Sequence, residues 1–181
     1  GLIATGSHSF EIKQLNVSKE RCFKISSDHV LAGGSVYKYP FLQLAETTLA
    51  ANISGMAIHF IDLCEEIFAE KVINKKLTAK QKDLLEETLA AAKNKINEAR
   101  STFYDAIENS WSFCDKGEKI PDQILSEVSL ASRLLAKYAR KHVDDIYPFC
   151  GLIAANPSSE INRVWRDLYT ASQHALLNFP Y

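Results

Sequence analysis

No stretch of this sequence approaches the ~20 consecutive apolar residues that a membrane span requires. The opening residues do not read as a basic-then-apolar signal segment either. An excess of charge of one sign is also missing. Twenty-one Lys and Arg stand against 22 Asp and Glu, a net charge of −1, so no overall field draws nucleic acid or an anionic membrane. The densest basic run, Lys71 to Lys82, alternates with apolar and polar residues and reads as a solvated helix end, not a nucleic-acid patch. Cysteine is sparse: Cys22, Cys64, Cys114 and Cys150 are widely separated and form no CxxC. They read as reduced thiols of a cytoplasmic protein, mostly small core residues; their spacing requires no disulfide and leaves one open.

Motifs for several chemistries are lacking as well. A di-iron bundle needs Glu-x-x-His on two helices. The residues three before His59, His142 and His174 are Met56, Ala139 and Ala171, none of them a carboxylate. HExxH and Cys/His ligand spacings are absent, so no metal is expected. There is no GxSxG, no P-loop and no GxGxxG after a strand. Gly33 and Gly34 read as a turn.

What is present begins with "GLIATGSHSFEIKQLNV". Phe10 and Ile12 alternate, then Leu15 and Val17 alternate on a shifted phase, which predicts a β-bulge near Lys13–Gln14. A few short strands cannot close a stable sheet. Residues 1–27 are therefore expected to be the tail of a larger β-domain, with the chain a piece of a longer protein. Residues 28–181 are expected to be helical.

After Pro40, Leu42, Ala45, Leu49, Ile53, Met56, Phe60, Leu63 and Ile67 recur at steps of three and four, a core-facing stripe. Gly55 inside it is read as a close approach of a neighbouring helix. Thr78 with Gln81 resembles a capping box opening a second helix. Leu85, Leu89, Ala92, Ile96, Ala99, Phe103 and Ala106 form its stripe, with Trp111 near its end. Gly117 and Pro121 break the pattern. A third helix carries Ile124, Val128, Ala131, Leu135, Tyr138, His142 and Ile146, with His142 a hydrogen-bonded core histidine. "YPFCGLIAANP" is the next break, and Asn156–Pro157 fits the cap and first residue of a fourth helix. The predicted fold is mainly α: an antiparallel four-helix bundle of long amphipathic helices, preceded by a short β remnant.

The closing stretch "INRVWRDLYTASQHALL" carries the functional signal. Wound at about 100° per residue, Ile161, Val164, Trp165, Leu168, Ser172, Ala175 and Leu176 fall on one side. Arg163, Arg166, Asp167, Thr170 and His174 gather on the other. The plain reading is a solvated face with an Arg163–Asp167 pair, which contributes about a few tenths of a kcal/mol. The functional reading is that the stripe meets a cofactor or substrate in another domain or subunit. An arginine fork suits an anionic ligand, and a histidine suits proton transfer near neutral pH. His8 sits in a predicted turn; His29 and His59 carry no positional signal.

The residue pattern resembles a known family. "GLIATGSHSFEIKQLNVSKERCF" is similar to the last strands of the middle β-domain of acyl-CoA dehydrogenase-like flavoproteins, with Ser18 where proline is usual. "LLEETLAAAKNKINEARSTFYDAIENSW" resembles the second bundle helix of the family's flavin-dependent hydroxylase branch. "NRVWRDLYTASQHALL" resembles its last helix, where Arg-x-x-Arg-Asp and a downstream Ser-x-His recur. The dehydrogenases of this superfamily carry Tyr-Glu-Gly further on, whose glutamate removes the substrate proton. Aligning Arg163, Arg166 and Asp167 puts His174 at the tyrosine and Ala175 at the glutamate, so the base is missing there. Glu160, in "SEIN", precedes the arginine motif and is not assigned as that base.

The resemblance implies a monooxygenase that uses reduced flavin and O2 on a small aromatic or similar substrate. His174 would be catalytic, polarising or deprotonating a substrate hydroxyl. Arg163, Arg166 and Thr170 would lie on the cofactor side, with Arg163 and Asp167 holding the helix or subunit contacts. The flavin would be FAD or FMN in the full-length protein, supplied reduced by a flavin reductase. A homodimer or homotetramer is implied, with no nucleic-acid or membrane partner. Alternatives are an acyl-CoA dehydrogenase oxidising a CH–CH bond and a non-enzymatic oligomerisation bundle. Without the rest of the β-domain, the chain alone is expected to be inactive.

Overall fold

The structure, a computed structural model, describes residues 8–179. Thr5, Gly6 and Ser7 of the predicted turn lie outside the described residues. Residues 8–27 form no strand. Phe10, Ile12, Leu15 and Val17 are all more than half exposed, and a 3-10 turn at Lys19–Arg21 interrupts the segment. The expected β remnant is thus not formed over the described part of residues 1–27 in this chain. A strand needs a neighbour to take its ladder hydrogen bonds, and no second strand stands beside this segment among the described residues. At the predicted phase slip, Gln14 has φ 54°, the one positive φ among described non-glycine residues.

The helices in chain order are α1 (Ser35–Lys38), α2 (Phe41–Asn74), α3 (Ala79–Asp115), α4 (Asp122–Cys150), α5 (Leu152–Ala155), α6 (Glu160–Ala171) and α7 (Ala175–Asn178). The four-helix unit is α2, α3, α4 and α6, joined by short connections and so antiparallel in sequence order. The first three are long, and α6 has only 12 residues.

α2 is the central helix. It packs against α3, α4, α6 and α7, and its fully covered residues, including Ala50, Ile53, Ala57, Phe60, Ile61 and Cys64, share one face, within about a third of the circumference at ~100° per residue. The predicted stripe shares Ile53 and Phe60 with this face and is centred to one side of it. Leu42, Leu49, Met56 and Leu63 of that stripe are accordingly only half-buried. Glu46 is completely buried in α2, where its Oε1 accepts a hydrogen bond from Arg133 of α4 at 2.9 Å. Beside it, Gln43 donates to Ser129 at 3.1 Å.

The α3 start follows the predicted capping box: Thr78 accepts from the Gln81 amide, and the Gln81 side chain accepts from Thr78 N–H. The α3 end is a Schellman motif. Gly117 at φ 73° lets its own N–H reach Cys114 O and the Glu118 N–H reach Phe113 O. A small second cluster, Tyr39, Cys114 and Ile120, closes this end of the bundle, with the Tyr39 hydroxyl 2.6 Å from Ser110.

Four further expectations need correcting. No atom lies within 4 Å of a Cβ built on Gly55, which sits on the exposed side of α2 and not under a neighbouring helix. The third helix runs through Pro148 to Cys150 and stops only at Gly151, whose φ of 77° and ψ of −161° no side chain-bearing residue adopts readily. The core line of α4 passes through Ala139 and Val143, leaving Tyr138 exposed and His142 at its margin, stacked on Tyr138 with Nδ1 3.4 Å from Asp145. Asn156 and Pro157 form a turn before the last bundle helix, because the Asn156 side chain accepts from Ser158 N–H, and Ser159 caps α6 instead.

Two outcomes follow for stability. Gly55→Ala should raise stability by about 0.5–1 kcal/mol, read as a higher midpoint in thermal or urea melting, because it gains helix propensity without a clash. Arg133→Met should lower stability by about 3–5 kcal/mol in the same melts, because it strands the Glu46 carboxylate in the interior. A loss under ~1 kcal/mol would show that the pair is not holding α2 to α4.

Candidate functional site at the terminal turn

The site is assembled on α6. Its buried side, Ile161, Val164 and Leu168, packs on α2, and Asn162 donates to Ala154 O at 2.6 Å, fixing the helix against α5. The opposite side is polar, as the winding of the sequence predicts. Arg163 lies 3.2 Å from Glu160 and 3.7 Å from Asp167, and Glu160 also meets His59 of α2 at 3.1 Å. Arg163 therefore has its charge shared between two carboxylates in a surface network. Arg166 is exposed and, among the described residues, reaches only Pro157 O, at 3.5 Å, which leaves guanidinium donors over. Thr170 donates its hydroxyl to Arg166 O at 2.9 Å and retains only acceptor capacity.

The closing segment is not one continuous helix. α6 ends at Ala171, and Ser172 and Gln173 form a turn before α7. Ser172 is buried, with its hydroxyl donating to Tyr169 O at 3.1 Å. His174 is lifted off the helical face and becomes the cap of α7, its Nδ1 accepting the Leu176 amide at 3.3 Å. The Asn178 side chain donates to both Ser172 O and His174 O at 2.9 Å each, clamping the turn. With Nδ1 accepting, the neutral imidazole carries its proton on Nε2. His174 is exposed, so that Nε2–H is available to a group outside this chain.

A groove of about 800 Å³ runs beside this turn, between α4 and the α7 segment. Ser172, Leu177 and Asn178 form one wall, and Arg133, Lys137, Arg140 and Lys141 the other. Arg163, Arg166, Thr170 and His174 do not line it. The structure thus brings Arg163, Asp167 and Glu160 together, and leaves as separate exposed donors Arg166, whose guanidinium reaches back to Pro157 O before the start of α6, and His174, past the end of α6.

The sequence did not reveal the support beneath the turn. The Tyr169 hydroxyl donates to Asp144 of α4, and the Arg140 guanidinium lies 4.5 Å over the Tyr169 ring. Burial and the Asp144 carboxylate push the Tyr169 phenol above its ordinary pKa, against Arg140. Trp165 stacks at 4.6 Å on Tyr169 and at 5.0 Å on Tyr147. The i,i+4 spacing of Arg140 and Asp144 was visible, but their convergence on Tyr169 needs two helices to meet. Asn178, four residues after His174, had no signal until the turn existed.

Residues 47–179 match the family described as acyl-CoA dehydrogenase, C-terminal domain, and the chain belongs to that family. Among curated relatives, it is 22% identical over 178 residues to the indole-3-acetate monooxygenase of Pseudomonas putida, covering 98% of this chain and 46% of that protein. It is 25% identical over 189 residues to the flavin-dependent monooxygenase oxygenase subunit HsaA of Mycobacterium tuberculosis, covering 97% of this chain and 47% of that protein. The chain spans about half the length of the curated relatives it matches. The crystal structure of 3-HSA hydroxylase from Rhodococcus sp. RHA1 superposes with a TM-score of 0.73 at 22% identity, over 80% of this chain and 38% of that one, which establishes the same fold.

The clamp predicts that Asn178→Ala costs about 1 kcal/mol and speeds hydrogen exchange at the Leu176 amide, while exchange in the α2 core stays unchanged. Unaltered exchange at Leu176 would show that the turn does not depend on Asn178.

Proposed function

We propose that this chain is the C-terminal part of a flavin-dependent monooxygenase. Residues 1–27 are the tail of its middle β-domain, and residues 28–181 its bundle domain. The apolar residues of 8–27 then become half-buried once the remaining strands pair with them. The observation that carries the reading is His174, fixed by its backbone bonds with a free Nε2–H, followed by Ala175 where the dehydrogenases of this superfamily place a carboxylate. Similarity to monooxygenases over nearly the whole chain supports it.

The donor set fits a flavin. Arg166 has unspent guanidinium donors for a phosphate or ring carbonyl, Thr170 offers an acceptor, and Arg163 steadies the helix through Glu160 and Asp167. FAD and FMN both meet this chemistry. When bound, reduced flavin supplies the oxygen activation. The chain's own part is to position and to handle a proton. His174 donates from Nε2 to a substrate oxygen and polarises it; Asn178 and the Leu176 amide keep the ring in that tautomer and orientation. The bundle's apolar interior keeps water from the back of the turn. The substrate class is a small aromatic or similar hydroxylated molecule. A separate flavin reductase, a homodimer or homotetramer, and a cytoplasmic location complete the reading. Among the described residues, no helix is long and apolar enough to cross a membrane.

The test is His174→Ala in the full-length protein supplied with reduced flavin and a panel of phenolic and indolic substrates. Product formation should fall by about 10²–10⁴-fold while oxygen consumption continues. Undiminished product with every substrate turned over would overturn the role of His174. Bleaching of bound flavin by acyl-CoA thioesters would overturn the monooxygenase reading.

A further inference from the structure

A second reactive feature lies away from the terminal turn. Cys64 of α2 and Cys150, the last residue of α4, are both fully buried, and their sulfurs are 3.3 Å apart. Neither is in a disulfide. An ordinary disulfide has sulfurs ~2.05 Å apart, so closure needs an approach of about 1.2 Å. The backbone can supply it: α4 ends at Cys150, and Gly151 follows at φ 77°. Cys150, though covered, also borders a surface groove of about 350 Å³ together with Lys71 and Asn74, the side from which a small solute would approach it.

The two thiols are unequal. Cys64 can donate its S–H to Cys150; this bond and the nearby Lys71 ammonium lower the Cys150 thiol pKa against its burial, while the Cys64 thiol is held well above its ordinary pKa. Lys71 is itself fixed, donating to Phe149 O next to Cys150. A thiol made more acidic by a neighbouring cation, at the edge of a groove and with a second thiol in contact, has the setting of a redox-active cysteine. Cys22 is exposed without such a partner, and Cys114 is buried and bonded to Ser35 O at 3.2 Å.

We infer that Cys150 and Cys64 form a peroxide-responsive dithiol, in which Cys150 is the attacking sulfur, Cys64 the resolving one, and the oxidant a small hydroperoxide. The Cys150 thiolate attacks the distal oxygen of the hydroperoxide. An S–O bond forms, the O–O bond breaks, and the leaving alkoxide or hydroxide takes a proton to give an alcohol or water. Cys64 then attacks the Cys150 sulfur. The S–S bond forms, the S–O bond breaks, and hydroxide leaves as water with the Cys64 proton. Two thiols lose two electrons and two protons, and the peroxide is reduced by the same two electrons. A dithiol reductant reverses the step. The product ties α2 to α4 across 86 residues of sequence, so the oxidised chain should be the more stable form. This inference does not rest on the monooxygenase reading, and it is tested in this chain alone.

The experiment is limited hydrogen peroxide treatment of the purified chain, followed by thiol alkylation and peptide mass mapping. The expected result is a peptide crosslinked through Cys64 and Cys150, formed about tenfold faster than any modification of Cys22, with a raised melting temperature that dithiothreitol reverses. In Cys64→Ser, dimedone should capture a sulfenic acid at Cys150. Lys71→Met should slow oxidation of Cys150 by about tenfold. Two free, alkylatable thiols at 64 and 150 after Cys22 has been oxidised would overturn the proposal in the unmodified protein. Dimedone capture at Cys22 but not at Cys150 in Cys64→Ser would overturn the assignment of the attacking sulfur.

Discussion

Everything in this fold is arranged around the burial of α2. This 34-residue helix buries one broad face along its length, and α3, α4 and α6 share in covering it. Phe60, Ile53, Ile61 and Cys64 are in the covered interior together with Ile96, Phe103, Leu135, Ile146 and Leu168 from the three covering helices. Burying such a side chain contributes about 1.5–3 kcal/mol each, so this shared core is the main source of stability. The Glu46–Arg133 pair lies inside the same α2–α4 seam. Burying a charge among apolar neighbours is tolerated only in the alignment that supplies the partner, so the pair ties α2 to α4 in one register.

The terminal turn inherits its position from that core. α6 is too short to hold itself in water, and it is held by Ile161, Val164 and Leu168 on α2 and by the Tyr147–Trp165–Tyr169 stack against α4. Because α6 is fixed, the place where it stops is fixed. Ser172 turns its hydroxyl back to Tyr169 O, Asn178 closes over the turn, and His174 is presented outward with one nitrogen already engaged. An exposed imidazole is thus mounted on a short irregular segment supported by rigid helices, a compromise between precise placement and access. The thiol pair sits at the other kind of junction, a helix end against a helix interior, where one glycine frees the backbone just past Cys150.

Several elements were legible before any coordinates. The Thr78–Gln81 box and the Gly117 stop are local chemistry, decided within a few residues, and both formed as read. The α3 stripe was legible because that helix is covered on one side only, so periodicity and burial coincide. On α2 the same reasoning found Ile53 and Phe60 but otherwise followed a line to one side of the buried face, because apolar residues on this helix extend beyond the face that packing covers. Gly55 was misread for a related cause: its exposure depends on which neighbours are absent, and a sequence does not display absences in space. Asn156 and Ser159 are both sound caps locally; the choice of Ser159 follows from its bonds to Ile153 O and Asn156 O, which exist only once α5 has folded back.

The amino-acid pattern alone determined a helical bundle, its principal breaks and the polar side of the last helix. These are properties of spacing, and spacing is written along the chain; the family was legible only as a resemblance of motifs. Tertiary structure decided that His174 leaves the helical face to cap a new turn, that Arg163 is already engaged by Glu160 and Asp167 while Arg166 is not, and that Cys64 meets Cys150. Each of those outcomes depends on groups brought together from separate helices, or on where packing ends a helix. It also decided that residues 8–27 stay without strand pairing, since the hydrogen bonds a strand needs must come from a neighbour and not from its own sequence.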